Sequence, residues 1–210
     1  NNLAIGYNYL YEETDDDNAA FNYKFGYAIA LSCMSQCYVM LSDYSQAILL
    51  QEDTVTLMIQ LVGQDNRYYW DHYLSLGKCY LYANRFQEAS EVLTSCIEYY
   101  KASEGDNDAI IVDTYNCLGL VEHELHRYDN SIEYFESGLG ILDKIAKPTD
   151  FAYVAPYTNL GMVYGALGLY EKSYLCYQKA LYPYKDYVDR LYELDAERLR
   201  QLSALFLNLG

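Results

Sequence analysis

The chain of 210 residues has only 3 prolines, 1 tryptophan and 3 histidines. With so few prolines, long helices can run uninterrupted, because an interior proline removes a backbone hydrogen bond and clashes with the preceding turn. No run of about 18 apolar residues occurs, so no segment reads as a membrane-spanning helix and no membrane partner is expected. The N-terminus also lacks the basic-then-apolar segment of a secretory leader. The chain does not begin with Met and is expected to be a piece of a longer protein. Basic residues are scarce at first: before residue 60, Lys24 alone faces Glu12, Glu13, Asp15, Asp16, Asp17, Asp43, Glu52 and Asp53. The formal net charge is −16. Such a chain repels phosphate backbones, so no direct nucleic-acid binding is expected and a basic or neutral polypeptide is the easier partner. The same charge also favours solubility.

The groupings that chemistry would need are missing as well. The six cysteines, Cys33, Cys37, Cys79, Cys96, Cys117 and Cys176, form no CxxC pair. They read as reduced and buried, which points to the cytoplasm. His123-Glu124-Leu125-His126 places its histidines three apart, with no third ligand in evidence, and so is not the HExxH zinc motif. The acidic runs Glu12–Asp17 and Glu104–Asp108 lack the EF-hand spacing and its closing Glu, and read as turns and helix caps. No phosphate-binding glycine loop and no nucleophile elbow occur. No catalytic residue, metal ligand or cofactor is therefore assigned, and the chain is read as non-enzymatic.

What the chain does have is a repeat. Leu76-Gly77, Leu118-Gly119 and Leu160-Gly161 recur every 42 residues. Four residues before each glycine stands Tyr73, Tyr115 or Tyr157, and nine after it stands Phe86, Tyr128 or Tyr170. Three further on is a small residue, Ala89, Ser131 or Ser173. One period earlier the same slots hold Leu31, Met34, Ser35, Tyr38, Tyr44 and Ala47, and one period later Leu199, Leu202, Ser203 and Phe206. Within a unit the apolar slots fall three and four apart, the helical period: Tyr73, Leu76 and Tyr80, then Phe86, Ala89, Leu93 and Ile97. The pattern breaks around 83–86, which predicts a turn and a helical hairpin. The small slots are expected to let two helices approach, and the aromatic slots to fill the space between hairpins. No hairpin can bury its apolar face alone, so neighbours must stack.

These residues resemble the tetratricopeptide repeat, whose aromatic, Leu-Gly, Tyr, small Ala and following bulky residue read here as Tyr73, Leu76-Gly77, Tyr80, Ala89 and Leu93. The resemblance covers roughly residues 20–209. It implies an all-α fold, an α-α superhelix of about four hairpins plus a terminal helix. The expected division is an N-terminal segment 1–18, repeats at 19–63, 64–105, 106–147 and 148–187, and a C-terminal helix at 188–210. The period of 42 exceeds the usual 34 and is similar to the subclass found in kinesin light chains and bacterial arrays. The extra residues are expected to lengthen each helix by about a turn, around loops such as 104–108. The first repeat departs from the pattern: Ser35 replaces glycine, and Gln51 stands where Leu93, Phe135 and Tyr177 stand. Pro148 falls in an inter-repeat loop and Pro183 is expected to end a helix. Pro156 leaves two readings, a helix starting near Ala155 or a kink.

In this family the first helix of each hairpin lines a concave groove that binds a peptide or a protein face. The resemblance implies that the lining comprises Asp71, Leu74, Lys78 and Tyr82 in the second repeat, with Ser75 and Leu81. The third repeat supplies Asp113, Asn116, Leu120 and His123, with Cys117 and Glu124, and the fourth Thr158, Asn159 and Met162, with Gly165. Asn159 matches the position of the peptide-binding amides common in such grooves, and Asn116 sits one residue earlier. Arrays that clamp a terminal carboxylate use Lys or Arg where Asp71 and Asp113 stand, so a ligand carrying Lys or Arg is favoured. The resemblance extends to the sensory arrays of bacterial peptide-pheromone receptors and to the partner arrays of caspase-like proteases. It therefore also admits a regulatory segment of a larger protein. Surplus tyrosines (Tyr68, Tyr69, Tyr82, Tyr153 and Tyr187) serve either peripheral packing or partner contact. The apolar end Leu205-Phe206-Leu207-Asn208-Leu209 is expected to be exposed, which allows a homodimer through the C-terminal helix.

Overall fold

The computed structural model describes residues 17–103, 109–147, 149–187 and 194–209. These are mostly helical and contain no strand. In chain order the helices are α1 (Asp17–Met40), α2 (Tyr44–Val62), α3 (Arg67–Tyr82), α4 (Phe86–Ser103), α5 (Ala109–Glu124), α6 (Tyr128–Ile145), α7 (Val154–Ala166), α8 (Tyr170–Leu181) and α9 (Ala196–Leu209). Two 3-10 segments, Phe151–Tyr153 and Tyr182–Tyr187, flank α7 and α8. The chain forms two compact units, Asn1–Cys96 and Ile97–Gly210. The loop 104–108, Pro148 and the expected N-terminal segment up to residue 16 lie outside the described residues.

One turn closes every hairpin. Ser42, Asn84 and His126 each have φ 59° and Gly168 has φ 73°. These left-handed residues fall 42 apart. The N–H groups of Asp43, Arg85, Arg127 and Leu169 reach back to the carbonyls of Tyr38, Tyr80, Glu122 and Tyr164 at 2.8–2.9 Å. The left-handed residues themselves donate to Val39, Leu81, His123 and Gly165. Each first helix thus ends in a Schellman motif, which satisfies carbonyls that would otherwise be orphaned.

The small slots are small because the opposing side chain occupies the space. A Cβ on Gly77 would lie 2.9 Å from Leu93 Cδ2, one on Gly119 2.6 Å from Phe135 Cε1, and one on Gly161 2.7 Å from Tyr177 Cε1. The second small slot adds a bond in the same place. Ser131 Oγ donates to the Gly119 carbonyl and Ser173 Oγ to the Gly161 carbonyl, both at 2.7 Å. In the first hairpin the two residues are exchanged, so that Ser35 Oγ on α1 donates to the Ala47 carbonyl on α2 at 2.8 Å.

Gln51 is the other departure in the first hairpin, and it is fully buried. Its Nε2 donates to the His72 carbonyl at 2.9 Å and its Oε1 accepts from Ser32 Oγ at 3.3 Å. A polar side chain replaces the apolar plug here because both ends of its amide are bonded. The first unit also has an apolar cluster of Ala28, Met58 and Tyr69, flanked by Trp70 and Tyr73. In the second unit Val154, Tyr177, Ala180, Tyr184, Leu194, Leu202 and Leu205 join α7, α8 and α9.

The proline ambiguity resolves in favour of a helix start. α7 begins at Val154 with Tyr153 as its cap, so Pro156 sits in the first turn, where no N–H is needed. Pro183 lies just past α8, in the 3-10 segment. The cysteine expectation holds for four residues and fails for two: all six are free thiols, but Cys33 and Cys37 are exposed. They lie four apart on the face of α1 that also exposes Ile29 and Met40, where no described helix covers them. Burial pushes the Cys79 and Cys176 thiols up. The C-terminal expectation is corrected in part. Leu205 is buried in the core of the second unit while Leu207 is exposed, because α9 turns one face onto α8 and α7.

Two glycine substitutions should act with opposite sign. Gly119→Ala drives a methyl group into the Phe135 ring and should destabilise by about 1–3 kcal/mol despite the better helix propensity. A Cβ on Gly140, in α6, would meet no atom within 4 Å, so Gly140→Ala should stabilise by about 0.5–1 kcal/mol. Urea unfolding of both variants reads the difference directly; equal shifts of one sign would refute the packing argument.

Candidate peptide-binding faces

The first helices α3, α5 and α7 carry the residues expected to meet a ligand. In the first unit Asp71 and Lys78 are half-buried and Tyr82 is exposed. Asp71 Oδ2 lies 3.7 Å from Arg67 Nε, an open ion pair of small energetic weight. Leu74 is corrected: it is 4% exposed and belongs to the core. The reason is that α3 packs against both α2 and α1. It therefore buries two adjacent stripes, including Leu76, Cys79, Tyr80 and Leu81. Cys117 in α5 is withdrawn from the lining for the same burial.

In the second unit Asp113 is exposed, and Asn116, Leu120, His123, Thr158, Asn159 and Met162 are partly buried. Asn159 Nδ2 donates to Asn116 Oδ1 at 2.9 Å, joining α7 to α5 across 43 residues. The bond leaves the Asn116 Nδ2 group and the Asn159 Oδ1 oxygen available, one donor and one acceptor. The Thr158 hydroxyl proton is engaged, donating to the Val154 carbonyl at 2.7 Å, which leaves the oxygen as an acceptor. Met162 packs on the α7–α8–α9 core. His123 Nδ1 lies 3.3 Å from Glu124 Oε1, and its ring meets Tyr128 edge-on at 5.7 Å.

Glu122 shows why an acid can sit in a tyrosine slot. In the neighbouring repeats the slot holds Tyr80, which donates to Glu52 at 2.7 Å, and Tyr164, which donates to Glu136 at 3.3 Å. Burial, then the carboxylates, push both phenols up. The slot of Glu52 and Glu136 holds Thr94 in the second repeat, and the carboxylate is on Glu122 itself. That side chain is 4% exposed, 3.4 Å from Arg127 Nη1, and accepts from Asn130 Nδ2 at 3.0 Å. It is a packing variation with its bonds satisfied. Among the surplus tyrosines, Tyr69 and Tyr153 are core, Tyr187 packs against it, and Tyr68 and Tyr82 are exposed. Among the described residues no three His, Cys, Asp or Glu side chains gather in a way that could hold a metal ion. No described helix is long and apolar enough to cross a membrane.

With this geometry in hand, comparisons place the fold. Residues 111–186 match the family model of the tetratricopeptide repeat. No curated protein matches the chain. Among solved structures, BtubC (BKLC) from P. vanneervenii is 17% identical with a TM-score of 0.69, over 92% of this chain and 73% of that one. A structure of a Podospora anserina kinesin light chain with nearly identical TPR-like repeats is 15% identical, TM-score 0.68, over 86% and 85%. MamA from Desulfovibrio magneticus RS-1 is 15% identical, TM-score 0.56, over 89% and 97%. At these identities the likeness is one of fold. The described residues form an all-α array of helical hairpins, of which residues 111–186 match the tetratricopeptide repeat.

The electrostatics of α3 yield a pH dependence. Burial holds the His72 imidazole below its ordinary value, and the neighbouring Asp71 only partly offsets this. The unfolded chain therefore takes up a proton near pH 6.5 while the folded one resists. The contribution is fully present above about pH 6.5 and is lost as pH falls below it. Comparing urea midpoints at about pH 7.5 and 5.5, His72→Asn should shrink the acid-induced loss; an unchanged loss would remove His72 as its source.

Proposed function

We propose that the chain is a non-enzymatic scaffold that holds an extended, basic or neutral polypeptide on its first-helix face, which the resemblance assigns to a concave groove. The observation that carries this is the Asn116–Asn159 bond between successive first helices. Two half-buried amides fixed to each other present one free donor and one free acceptor, the pair that the C=O and N–H of an extended backbone require. Exposed Asp113, with Glu124 beside His123, gives this face of the second unit a negative character suited to Lys or Arg. In the first unit, Asp71 and exposed Tyr82 offer a charge and an aromatic surface. The scaffold serves equally as a regulatory segment whose output lies elsewhere in a longer protein.

A peptide-array screen on the purified chain tests this reading. Selected peptides should carry Lys or Arg, and Asn116→Ala with Asn159→Ala should weaken binding roughly 10- to 100-fold, from about 1–2 kcal/mol per well-buried amide contact. Ligand Lys/Arg→Ala changes that leave affinity untouched would sink the charge argument, and binding indifferent to both amides would sink the site. A second reading, self-association through α9, draws on Leu207, which is 81% exposed. Light scattering of Leu207→Glu should then show a lower mass than the parent chain, and an unchanged mass rejects it.

A further inference from the structure

The second helices of the hairpins offer a control internal to the chain. Four outward positions of α8 and its C-cap, 175, 178, 179 and 182, have counterparts one, two and three periods earlier. In each of the first three hairpins two of these positions are carboxylates: Glu52 and Asp53, Glu91 and Glu98, Glu133 and Glu136. The fourth hairpin has none. It carries Leu175, Gln178, Lys179 and Tyr182 instead, all exposed. Glu52 and Glu136 accept from the tyrosines of the following hairpins, whereas the next such slot in the sequence is Phe206, which has no hydroxyl, so the fourth hairpin has no use for the acid and its outer face is open to other residues.

These residues border a pocket of about 430 Å³, within the range of roughly 300–1,000 Å³ usual for ligand sites. Its remaining wall is Asp143 from α6 with Tyr153 and Tyr157 from the start of α7. The wall is internally bonded. The Tyr153 and Tyr157 rings stack with centroids 6.0 Å apart, and the Tyr153 hydroxyl donates to Asp143 Oδ1 at 3.0 Å. Burial, then that carboxylate, push the Tyr153 phenol up to about 12, so it stays protonated as a donor. One ammonium group lines the rim: Lys179 lies 5.1 Å from the Tyr157 ring. Leu175 and Tyr182 are 55% and 45% exposed, so both present apolar surface at the opening.

We infer that this pocket is a second binding site, which takes a bulky apolar side chain flanked by a carboxylate from an extended segment of a partner protein. The stacked tyrosines, Leu175 and Tyr182 receive the apolar group. Lys179 meets the carboxylate, and Asp143, engaged by Tyr153, disfavours an acid on the opposite rim. The charge preference is the reverse of that on the α5–α7 face, so one chain can hold two segments of unlike character. This site stands independently of the amide pair.

The test titrates acetyl-Ala-Phe-Glu-Ala-amide and acetyl-Ala-Phe-Lys-Ala-amide into the full chain, followed by NMR. The Glu peptide should give saturable shifts at Tyr157 and Tyr182 and bind more tightly than the Lys peptide. Lys179→Glu should weaken the Glu peptide at least about tenfold, one rim charge pair, and improve the Lys peptide. Leu175→Glu, which restores the residue type of the third hairpin at an exposed position, should abolish both. Asn116→Ala with Asn159→Ala should change neither. The inference is overturned by an absence of saturable shifts, by binding that survives Leu175→Glu, or by loss in the amide variant with Leu175→Glu silent. Circular dichroism of each variant confirms that the helices persist.

Discussion

A missing methyl group sets the spacing on which the hairpins depend. At Gly77, Gly119 and Gly161 the paired helices come so close that Leu93, Phe135 or Tyr177 already fills the volume a Cβ would take. Three different side chains serve as the plug, so the requirement lies with the glycine and the partner is free to vary. The burial of Phe135 and Leu93, among the largest fully enclosed side chains, follows from that approach. So does the reach of Ser131 and Ser173 to the carbonyl of the opposing helix.

The first hairpin meets the same constraint by other means. It has no glycine in the slot, and Ser35 places its own hydroxyl on the Ala47 carbonyl, the mirror of the later arrangement. Its plug is Gln51, bonded at both ends of the amide. Glu122 follows the same logic in the third hairpin, where an acid replaces the inter-hairpin phenol and brings in Arg127 and Asn130. Polar residues enter the core wherever every donor and acceptor they bring finds a partner; otherwise each would cost about 1–3 kcal/mol.

Much of the fold was legible because the period is strict. Tyr, Leu-Gly, aromatic and small residues in register located both helices and the turn of each hairpin. The left-handed residue was not legible, since Ser42, Asn84, His126 and Gly168 share a conformation and not a chemistry. The ligand-facing residues were harder to read. Leu74 looks outward on a one-stripe helix, and only packing against two neighbouring helices puts it inside. Asn116 and Asn159 differ in register by one residue, so their bond becomes visible only in three dimensions. The pocket on α8 left no trace in the repeat pattern, since its walls come from α6, α7 and α8 together and are assembled only in three dimensions.

The bonds that close each hairpin are short in sequence. Ser131 to Gly119 and Ser173 to Gly161 each span 12 residues, and the turn bonds span fewer. A hairpin can therefore close soon after its second helix is synthesised, before the next one exists. Contacts of such short range favour fast closure. Within each compact unit the hairpins can therefore close individually before they pack together, which shortens the time their apolar faces stay uncovered.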